Sequence, residues 1–209
     1  DGWRLITGNG LSFSGDTYHN SSPSYLIDAV EILQYDFHRE ITGEASAWIY
    51  DDGTEGLFCM FTALTENNTF GSIGLFTRDF KDTYTIRWEI NNRGEIVSSG
   101  VPRSTGWHKF KVAMDGSKAS FYIDNNELDF EKIGINSFNA ISFGDGWSGS
   151  SKSYVDDIMV VSRDPGSLPA ANSMKLFING IEVFTNSSGE FSHKFHADES
   201  YRISFSDIE

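Results

Sequence analysis

Apolar and polar residues alternate with a period of two along most of this chain, and this pattern limits the possible folds more than any other feature. The clearest stretch covers residues 107–114, where Phe110, Val112 and Met114 fall on one face and two lysines fall on the other. Side chains point to opposite faces of a β-strand in turn, so the stretch predicts a strand with one buried face. A turn and a second alternating run at residues 115–123 complete a predicted β-hairpin.

Similar runs recur at intervals of roughly 8–15 residues, separated by segments rich in Gly, Asp and Asn. Residues 57–61 are apolar without alternation, which predicts a central strand covered on both sides. Two glycines within residues 70–76 predict a bulge or a close approach to the backbone. Helical periodicity is nearly absent. The sequence therefore predicts an all-β, antiparallel sandwich or barrel.

Residues 164–172 contain two prolines, a glycine and small residues, which is typical of a linker. They separate a predicted β-sandwich domain at residues 1–163 from a short second part at residues 173–209. In that part Asn179-Gly180 lies between two apolar runs and predicts a two-residue hairpin. Roughly 40 residues make a very small core, so we expect a partial or Ig-like β unit that is docked or truncated.

The formal net charge is −14 over 209 residues, which argues against nucleic acid and anionic membranes as partners. The acidity suits calcium binding, or serves solubility alone. The single cysteine, Cys59, lies in an apolar run and is expected to be a buried thiol, so no intramolecular disulfide forms. There is no run of 18 apolar residues, and direct membrane insertion is not expected. Candidate glycosylation sequons begin at Asn20, Asn67 and Asn186.

Three sequence motifs, in this order along the chain, resemble a known group of domains. The first motif consists of residues 2–3 and 15–26, and the second of residues 106–112 followed by 121–125. The last is residues 154–160, YVDDIMV. Together they resemble concanavalin A-like and laminin-G-like jelly rolls, and in particular the calcium-containing carbohydrate-binding modules. The resemblance implies a jelly-roll sandwich for the first domain and an extracellular or cell-surface location. The start of the chain, without methionine, is expected to be that of a processed product or an excised piece.

In such modules a structural calcium ties the start of the domain to its last strand. Carried onto this sequence, the resemblance implies Asp16 and Asp157 as ligands, with Asp156 next. Adjacent carboxylates repel each other unless a cation or water screens them, so the implied ion is physically reasonable. A surface pair of aspartates on an edge strand is the alternative.

No catalytic constellation can be assembled from the sequence, and we predict no catalytic residues. Retaining glycosidases on this fold carry acids that alternate on one strand, and no such run occurs here. The five histidines form no metal-binding spacing, and no nucleophile motif is present. A jelly-roll polysaccharide lyase or glycosidase therefore finds no support in the residues.

A sugar site needs aromatic platforms beside side chains that can make paired hydrogen bonds. Trp147 lies in a Gly/Ser-rich loop and is hard to bury there, and Asp145 beside it can accept hydrogen bonds from sugar hydroxyls. The second candidate platform is Trp88 with Arg87 adjacent and Asn92 at its rim. The remaining tryptophans, Trp3, Trp48 and Trp107, are predicted to be core residues.

Two functions from different classes remain open. The first is non-catalytic binding of a glycan or polysaccharide by a module of a secreted or cell-surface protein. The second is a structural or adhesive role in a surface or filament assembly, with other copies or domains as partners. The linker and the undersized second unit favour this role, because a small β unit can complete its sheet by exchanging a strand with a neighbour.

Overall fold

The computed structural model describes residues 3–7, 12–14, 19, 24–27, 31–65, 67, 69–144 and 152–163, and the backbone of residues 174–178, 181–183 and 203–207. The strands are β1 (Trp3–Thr7), β2 (Ser12–Ser14), β3 (Ser24–Ile27), β4 (Ile32–Ile41), β5 (Gly43–Asp51), β6 (Phe58–Leu64), β7 (Phe70–Phe76), β8 (Thr83–Ile90), β9 (Arg93–Pro102), β10 (Gly106–Met114), β11 (Lys118–Ile123), β12 (Asn126–Ile133), β13 (Phe138–Gly144), β14 (Ser153–Ser162), β15 (Met174–Ile178), β16 (Ile181–Val183) and β17 (Ile203–Asp207).

Two antiparallel sheets of seven strands each make up the first part of the chain. Sheet I has the order β1-β4-β13-β6-β7-β8-β9, and sheet II has the order β12-β11-β10-β5-β14-β3-β2. Their facing sides enclose one apolar core, so the predicted all-β sandwich is confirmed. In the part of the chain that the structure describes, no helix is long and apolar enough to cross a membrane.

The hairpin predicted at residues 107–123 forms as β10 and β11, with Phe110 opposite Ile123 and Met114 opposite Ala119. Another two-residue turn, Asn91-Asn92, joins β8 to β9 and has positive φ at both residues, 53° and 60°. This is the conformation of a type I′ turn, whose twist matches that of the flanking strands. Asparagine tolerates positive φ better than most residues, which explains its use here.

The strands on either side of residues 52–56 belong to different sheets. β5 lies in sheet II and β6 lies in sheet I, so the exposed residues between them connect the two sheets at an end of the sandwich rather than forming a hairpin. β6 then runs through the middle of sheet I, where Cys59, Met60 and Phe61 are all buried. The expectation of a central strand is confirmed, and both faces are covered at residues 59–61, while Thr62 and Leu64 farther along the strand are partly exposed on the face that points away from the core.

Two glycines in β7 are explained by close packing within the protein. A Cβ on Gly71 would lie 3.1 Å from the ring of Phe121 in the opposite sheet, and one on Gly74 would lie 2.4 Å from the carbonyl oxygen of Cys59. The pairing of β7 with both neighbours continues without a register shift. Of the two expectations for this strand, close approach is therefore right and a bulge is wrong.

Contacts divide the chain into two compact units, residues 1–163 and 164–209. In the second unit β15 pairs with β16 and with β17 in a three-stranded antiparallel sheet. Ile178 lies opposite Ile181, so the hairpin predicted around Asn179-Gly180 forms. A further strand predicted at residues 190–196 lies outside the described residues.

Candidate functional site

The outer face of sheet I, which points away from the core, carries a continuous line of hydrogen-bonding side chains. Strand register places its members directly opposite one another on six adjacent strands. Strands are spaced about 4.8 Å apart, so the line extends about 24 Å. We call it the polar row; its members are Arg4, Gln34, Ser142, Thr62, Ser72 and Arg87.

The polar row has small side chains in its middle and long side chains at its ends. Ser72 and Ser142 are 2% and 7% exposed, and the hydroxyls of Thr62 and Ser72 lie 2.7 Å apart. Long side chains stand at either end, where Arg4 is 61% exposed and Arg87 lies 5.0 Å from the ring of Phe70. Small hydroxyl side chains therefore occupy the middle of the row, where they are largely shielded from solvent, and long exposed side chains occupy its ends.

A bulge in β4 creates a cleft at one end of this face. Ile41 pairs with Phe138 and Asp36 pairs with Ala140, so four residues of β4 lie opposite one residue of β13. Within the bulge His38 has a φ of 55°, which is strained for a residue other than glycine. Bulges bend a strand locally and re-aim its side chains, and they are common beside binding and active sites.

The cleft has a volume of about 530 Å³, which lies within the usual range of ligand sites, about 300–1,000 Å³. Most of its polar lining consists of side chains with two or more hydrogen-bonding atoms, and its apolar lining is aliphatic. The lining residues are Arg4, Ile6, Gln34, Asp36, His38, Leu64, Thr65, Asn139 and Ala140.

Three of these side chains hold one another in place. Nε of Arg4 lies 2.6 Å from Oδ2 of Asp36, and Nε2 of Gln34 donates to Oδ1 of the same carboxylate at 2.8 Å. Asp36 is only 19% exposed, so its pairing is partly shielded from water. The remaining N–H groups of Arg4 and the amide oxygen of Gln34 stay available to a ligand. Such a pre-ordered set suits the adjacent hydroxyls of a sugar.

Two acidic residues of this face, Asp36 and Glu89, are far apart. Asp36 and Glu89 belong to one line of paired residues, Asp36-Ala140-Leu64-Phe70-Glu89, and are separated by four strand spacings. That separation is about 19 Å. Glycosidases place their two carboxyl groups about 5–9.5 Å apart, so these two acids do not form such a pair.

The sequence-predicted residues of β8 and its turn are divided between two faces. Arg87 belongs to the polar row on the outer face. Trp88 points to the opposite face of the sheet and packs against the core. The ammonium of Lys132 lies 3.2 Å from the centre of its ring, in a cation–π contact. Asn92 is exposed in the β8–β9 turn, at the same end of sheet I as the cleft. The structure therefore brings Arg87 into the site and separates Trp88 from it.

The other predicted platform, Trp147 with Asp145, lies outside the described residues, as does Asp16. The predicted calcium ligands Asp156 and Asp157 are described and lie in β14 of sheet II, where the strand has a bulge. The backbone N–H of His19 donates to Asp156 at 2.9 Å, and Nδ1 of His19 lies 2.7 Å from Oδ2 of Asp157. His19 thus ties the start of the domain to its last long strand by direct contacts.

The two aspartates supply the carboxylate oxygens that Ca²⁺ prefers. Among the described residues, however, no three acidic, histidine or cysteine side chains come together as a metal site. Asp156 also accepts the backbone N–H of Asp157 at 2.8 Å, so both of its oxygens already have a donor. The donor chemistry fits calcium, and the remaining ligands of a complete site would come from outside this pair.

Two tryptophans that were predicted to be core residues lie on the outer face of sheet II. Trp48 and Trp107 alternate with core residues of β5 and β10, and both are half-buried. The ring of His19 stacks on Trp48 at 3.8 Å and meets Trp107 edge-on at 5.7 Å. The prediction was wrong because alternation identifies the two faces of a strand but not which face meets the core. The side chain of Trp3 lies outside the description.

Sequence reasoning missed most of the cleft: Arg4, Gln34, Asp36, His38 and Asn139. Gln34, Asp36 and His38 have the i, i+2, i+4 spacing of one strand face, and this signal was present in the sequence. The pattern is hard to recognise because the apolar residues within 24–40 have mixed spacing rather than regular alternation. The bulge that opens the cleft has no sequence signature of its own.

No protein-family model matches the sequence, and no curated protein is similar to it. Solved structures do match. The Bacillus licheniformis β-glucanase superposes with a TM-score of 0.54 at 14% identity, over 77% of this chain and 92% of that one. The carbohydrate-binding module CBM66 from Bacillus subtilis gives 0.54 at 10% identity, over 77% and 96%.

A third match is domain 4 of the extracellular arabinanase AbnA from Geobacillus stearothermophilus, in complex with arabinotriose. It gives a TM-score of 0.55 at 11% identity, over 77% of this chain and 82% of that one. The first unit has the jelly-roll sandwich fold of these structures. At these identities the likeness establishes the fold of the jelly roll, and its ligand has to be argued from its own residues.

Proposed function

We propose that the jelly roll is a non-catalytic glycan-binding module, and that the glycan lies along the polar row and into the β4 cleft. The observation that carries the proposal is the unbroken line of hydrogen-bonding side chains across six strands, with small hydroxyl side chains in its middle and a pre-ordered cluster at one end. An extended sugar chain presents hydroxyls at regular intervals, and such a line can meet several sugar units in succession.

The middle positions of the polar row itself are hydroxyl side chains, Ser142, Thr62 and Ser72, while the neighbouring positions on the same face of β6 are Met60 and Leu64. Phe70, beside Arg87, offers an aromatic ring that can stack on a sugar. The wide spacing of Asp36 and Glu89 favours binding over cleavage of a glycosidic bond.

We also propose a structural calcium ion at Asp156 and Asp157 in β14. The ion would supply positive charge to two adjacent carboxylates, and its role would be to hold the start of the jelly roll against β14. Calorimetric titration of EDTA-treated protein with CaCl₂ tests it: wild type should bind, and Asp157→Asn should not. The matched control is Asp129→Asn on β12. If the wild type binds no calcium, the proposed calcium site is wrong, and the proposed glycan binding is unaffected.

Glycan binding is tested by screening the full chain on an array of neutral and acidic oligosaccharides, followed by calorimetry with the best oligosaccharide. Gln34→Ala and Arg87→Ala each remove hydrogen bonds at opposite ends of the polar row. We expect the Kd to rise at least about tenfold in each, which corresponds to about 1.4 kcal/mol.

Arg78→Ala, outside the polar row, and Trp107→Ala, on sheet II, are the matched controls and should leave the Kd within about twofold. Thermal unfolding of each variant verifies that the jelly roll is intact. If Trp107→Ala abolishes binding while Gln34→Ala does not, the glycan site lies on sheet II and the proposed site is wrong. If the array gives no binder, the proposed function itself fails.

A further inference from the structure

The side chain of His108, near the start of β10, is enclosed between two hydrogen-bond acceptors. Its Nδ1 lies 2.8 Å from Oδ2 of Asp124, and its Nε2 lies 2.8 Å from the backbone carbonyl oxygen of Ser104. The imidazole is only 13% exposed, so water does not readily replace either partner. None of the three residues belongs to the polar row or to the β4 cleft.

These two contacts determine the charge of the ring. Neither an ionised carboxylate nor a carbonyl oxygen can donate a hydrogen bond, so both ring nitrogens have to carry a hydrogen. Only the imidazolium form has two N–H groups, because the neutral ring has one. The arrangement in the structure is therefore that of a positively charged His108 that donates to both of its partners.

The two partners of His108 belong to different connections between strands. Phe110 pairs with Ile123, so His108 lies beside the turn that follows β11 and contains Asp124. The other carboxylate oxygen of Asp124 accepts the backbone N–H of Lys109 at 2.9 Å, which fixes its orientation. Ser104 lies in residues 103–105, which we call the β9–β10 connection. A charged His108 thus ties the β9–β10 connection to the β10–β11 hairpin.

Ser104 also offers a hydrogen bond to the neutral ring. Its hydroxyl oxygen lies 3.1 Å from Nε2 of His108. Once Nε2 has lost its hydrogen it becomes an acceptor, so the hydroxyl can donate to it, while the carbonyl oxygen faces a lone pair and is repelled. Nδ1 keeps its hydrogen because the Asp124 carboxylate still accepts it. Ser104 therefore has one group for each protonation state of His108.

The other ionisable groups around this tie have fixed roles near neutral pH. The ring of Tyr84 lies 5.3 Å from that of His108, and burial raises the pKa of Tyr84 to about 12, so it stays protonated. Its hydroxyl lies 3.3 Å from the Ser104 carbonyl oxygen and can donate to it when His108 does not. Arg103 and Asp51 neutralise each other in an ion pair. Lys109 points to the opposite face of β10.

We propose that His108 and Ser104 form a pH-sensitive switch in the β9–β10 connection. At low pH the charged ring donates to Asp124 and to the Ser104 carbonyl. As the pH rises, Nε2 gives its proton to solvent, the Ser104 hydroxyl donates to Nε2, and the carbonyl turns to Tyr84. The tie is thus present at low pH and lost as the pH rises. Residues 103–105 line a cleft of about 310 Å³, so its shape follows the state of the switch.

NMR spectroscopy of the full chain tests the switch over about pH 5 to 8, the range in which histidine side chains change their charge. The amide nitrogen of Thr105 shares a peptide group with the Ser104 carbonyl, so its chemical shift reports whether that carbonyl accepts a hydrogen bond. This signal should move as the pH rises. Long-range proton–nitrogen spectra of the His108 ring should show that Nε2, and not Nδ1, loses its hydrogen.

Three variants separate the switch from a general effect of pH. His108→Gln should abolish the movement of the Thr105 signal, and His38→Gln, at an exposed histidine of sheet I, is the matched control and should keep it. Ser104→Ala should move the change to higher pH, because the neutral ring loses its hydroxyl donor. Circular dichroism verifies the fold of each variant.

The switch is disproved if the Thr105 signal of the wild type does not move, or if it moves equally in His108→Gln. Loss of the hydrogen from Nδ1 would place the change at Asp124 instead of Ser104 and would also overturn the proposal. A Ser104→Ala response identical to wild type would show that the hydroxyl takes no part. None of these results bears on glycan binding at sheet I.

Discussion

At the scale of single residues, the most constrained charge is the ion pair of Arg103 with Asp51. Their side chains are 8% and 0% exposed, and two guanidinium nitrogens reach the carboxylate at 2.6 and 2.9 Å. Burial by itself lowers the pKa of the Arg103 guanidinium, but the hydrogen bonds and charge of Asp51 outweigh it, and the pKa is raised. Arg103 also donates to the carbonyl oxygens of Lys81 and Thr54, so it joins three loops.

Arg103→Met should therefore destabilise the jelly roll strongly. It leaves the buried Asp51 carboxylate with the backbone N–H of Gly53 but without a neutralising charge, which costs about 3–5 kcal/mol. The matched control is Arg78→Met, whose ion pair with Asp79 is exposed and worth at most about 1 kcal/mol. Urea unfolding measures both. A loss below about 1 kcal/mol for Arg103→Met would mean that water reaches Asp51 in the native state.

His38 gives a prediction that separates stability from binding. Glycine adopts its φ of 55° without the steric cost that other residues pay, about 1–2 kcal/mol. His38→Gly should therefore keep or raise the free energy of unfolding while it weakens glycan affinity, because a side chain that lines the cleft is lost. Thermal unfolding and calorimetry of the same sample measure the two effects. Loss of stability with unchanged affinity would place His38 in a structural role.

At the scale of elements, the β10–β11 hairpin depends on the carboxylate of its turn. Asp115 accepts hydrogen bonds from the hydroxyl and N–H of Ser117 and from the N–H of Lys118. These bonds lower the pKa of Asp115 from 3.8 to about 2. Because they favour the charged form, their stabilisation is complete above the unfolded-state pKa and is lost as the pH falls through about 2.

Asp115→Asn should consequently be less stable than wild type at pH 6, and the difference should disappear as the pH falls from about 4 to 2. Urea unfolding at several pH values measures this, and NMR titration of the Asp115 carboxyl measures the pKa directly. A stability difference that stays constant down to pH 2 would show that the charge of Asp115 does not matter to the turn.

The hairpins show what sequence can and cannot predict. Alternation and turn residues located β10, β11 and the Asn179-Gly180 turn, because both signals are local. The same signals placed β5 and β6 correctly but could not assign them to different sheets, since sheet membership depends on long-range pairing. They also could not place Trp48 on the outer face, because a half-covered aromatic on a sheet surface has the same pattern as a core residue.

At the scale of the whole molecule, the described residues of the jelly roll form an extensive apolar core. Its buried members extend from Ile27 to Val155. Residues 1–163 expressed alone should therefore fold, with a β-sheet circular dichroism spectrum and a cooperative thermal transition. A fragment without a cooperative transition would show that the jelly roll needs residues 164–209 for its stability.

The bulge of β4 has a consequence for how this surface can change. β4 pairs regularly with β13 at Asp36 and pairs with it again at Ile41, so the four residues between them bulge out while the pairing continues on either side. Insertions or deletions there alter the rim of the cleft and leave the remaining strands in place. Ligand preference can thus drift through changes in one short segment, and a library restricted to residues 37–40 is the natural starting point for redirecting the module to other sugars.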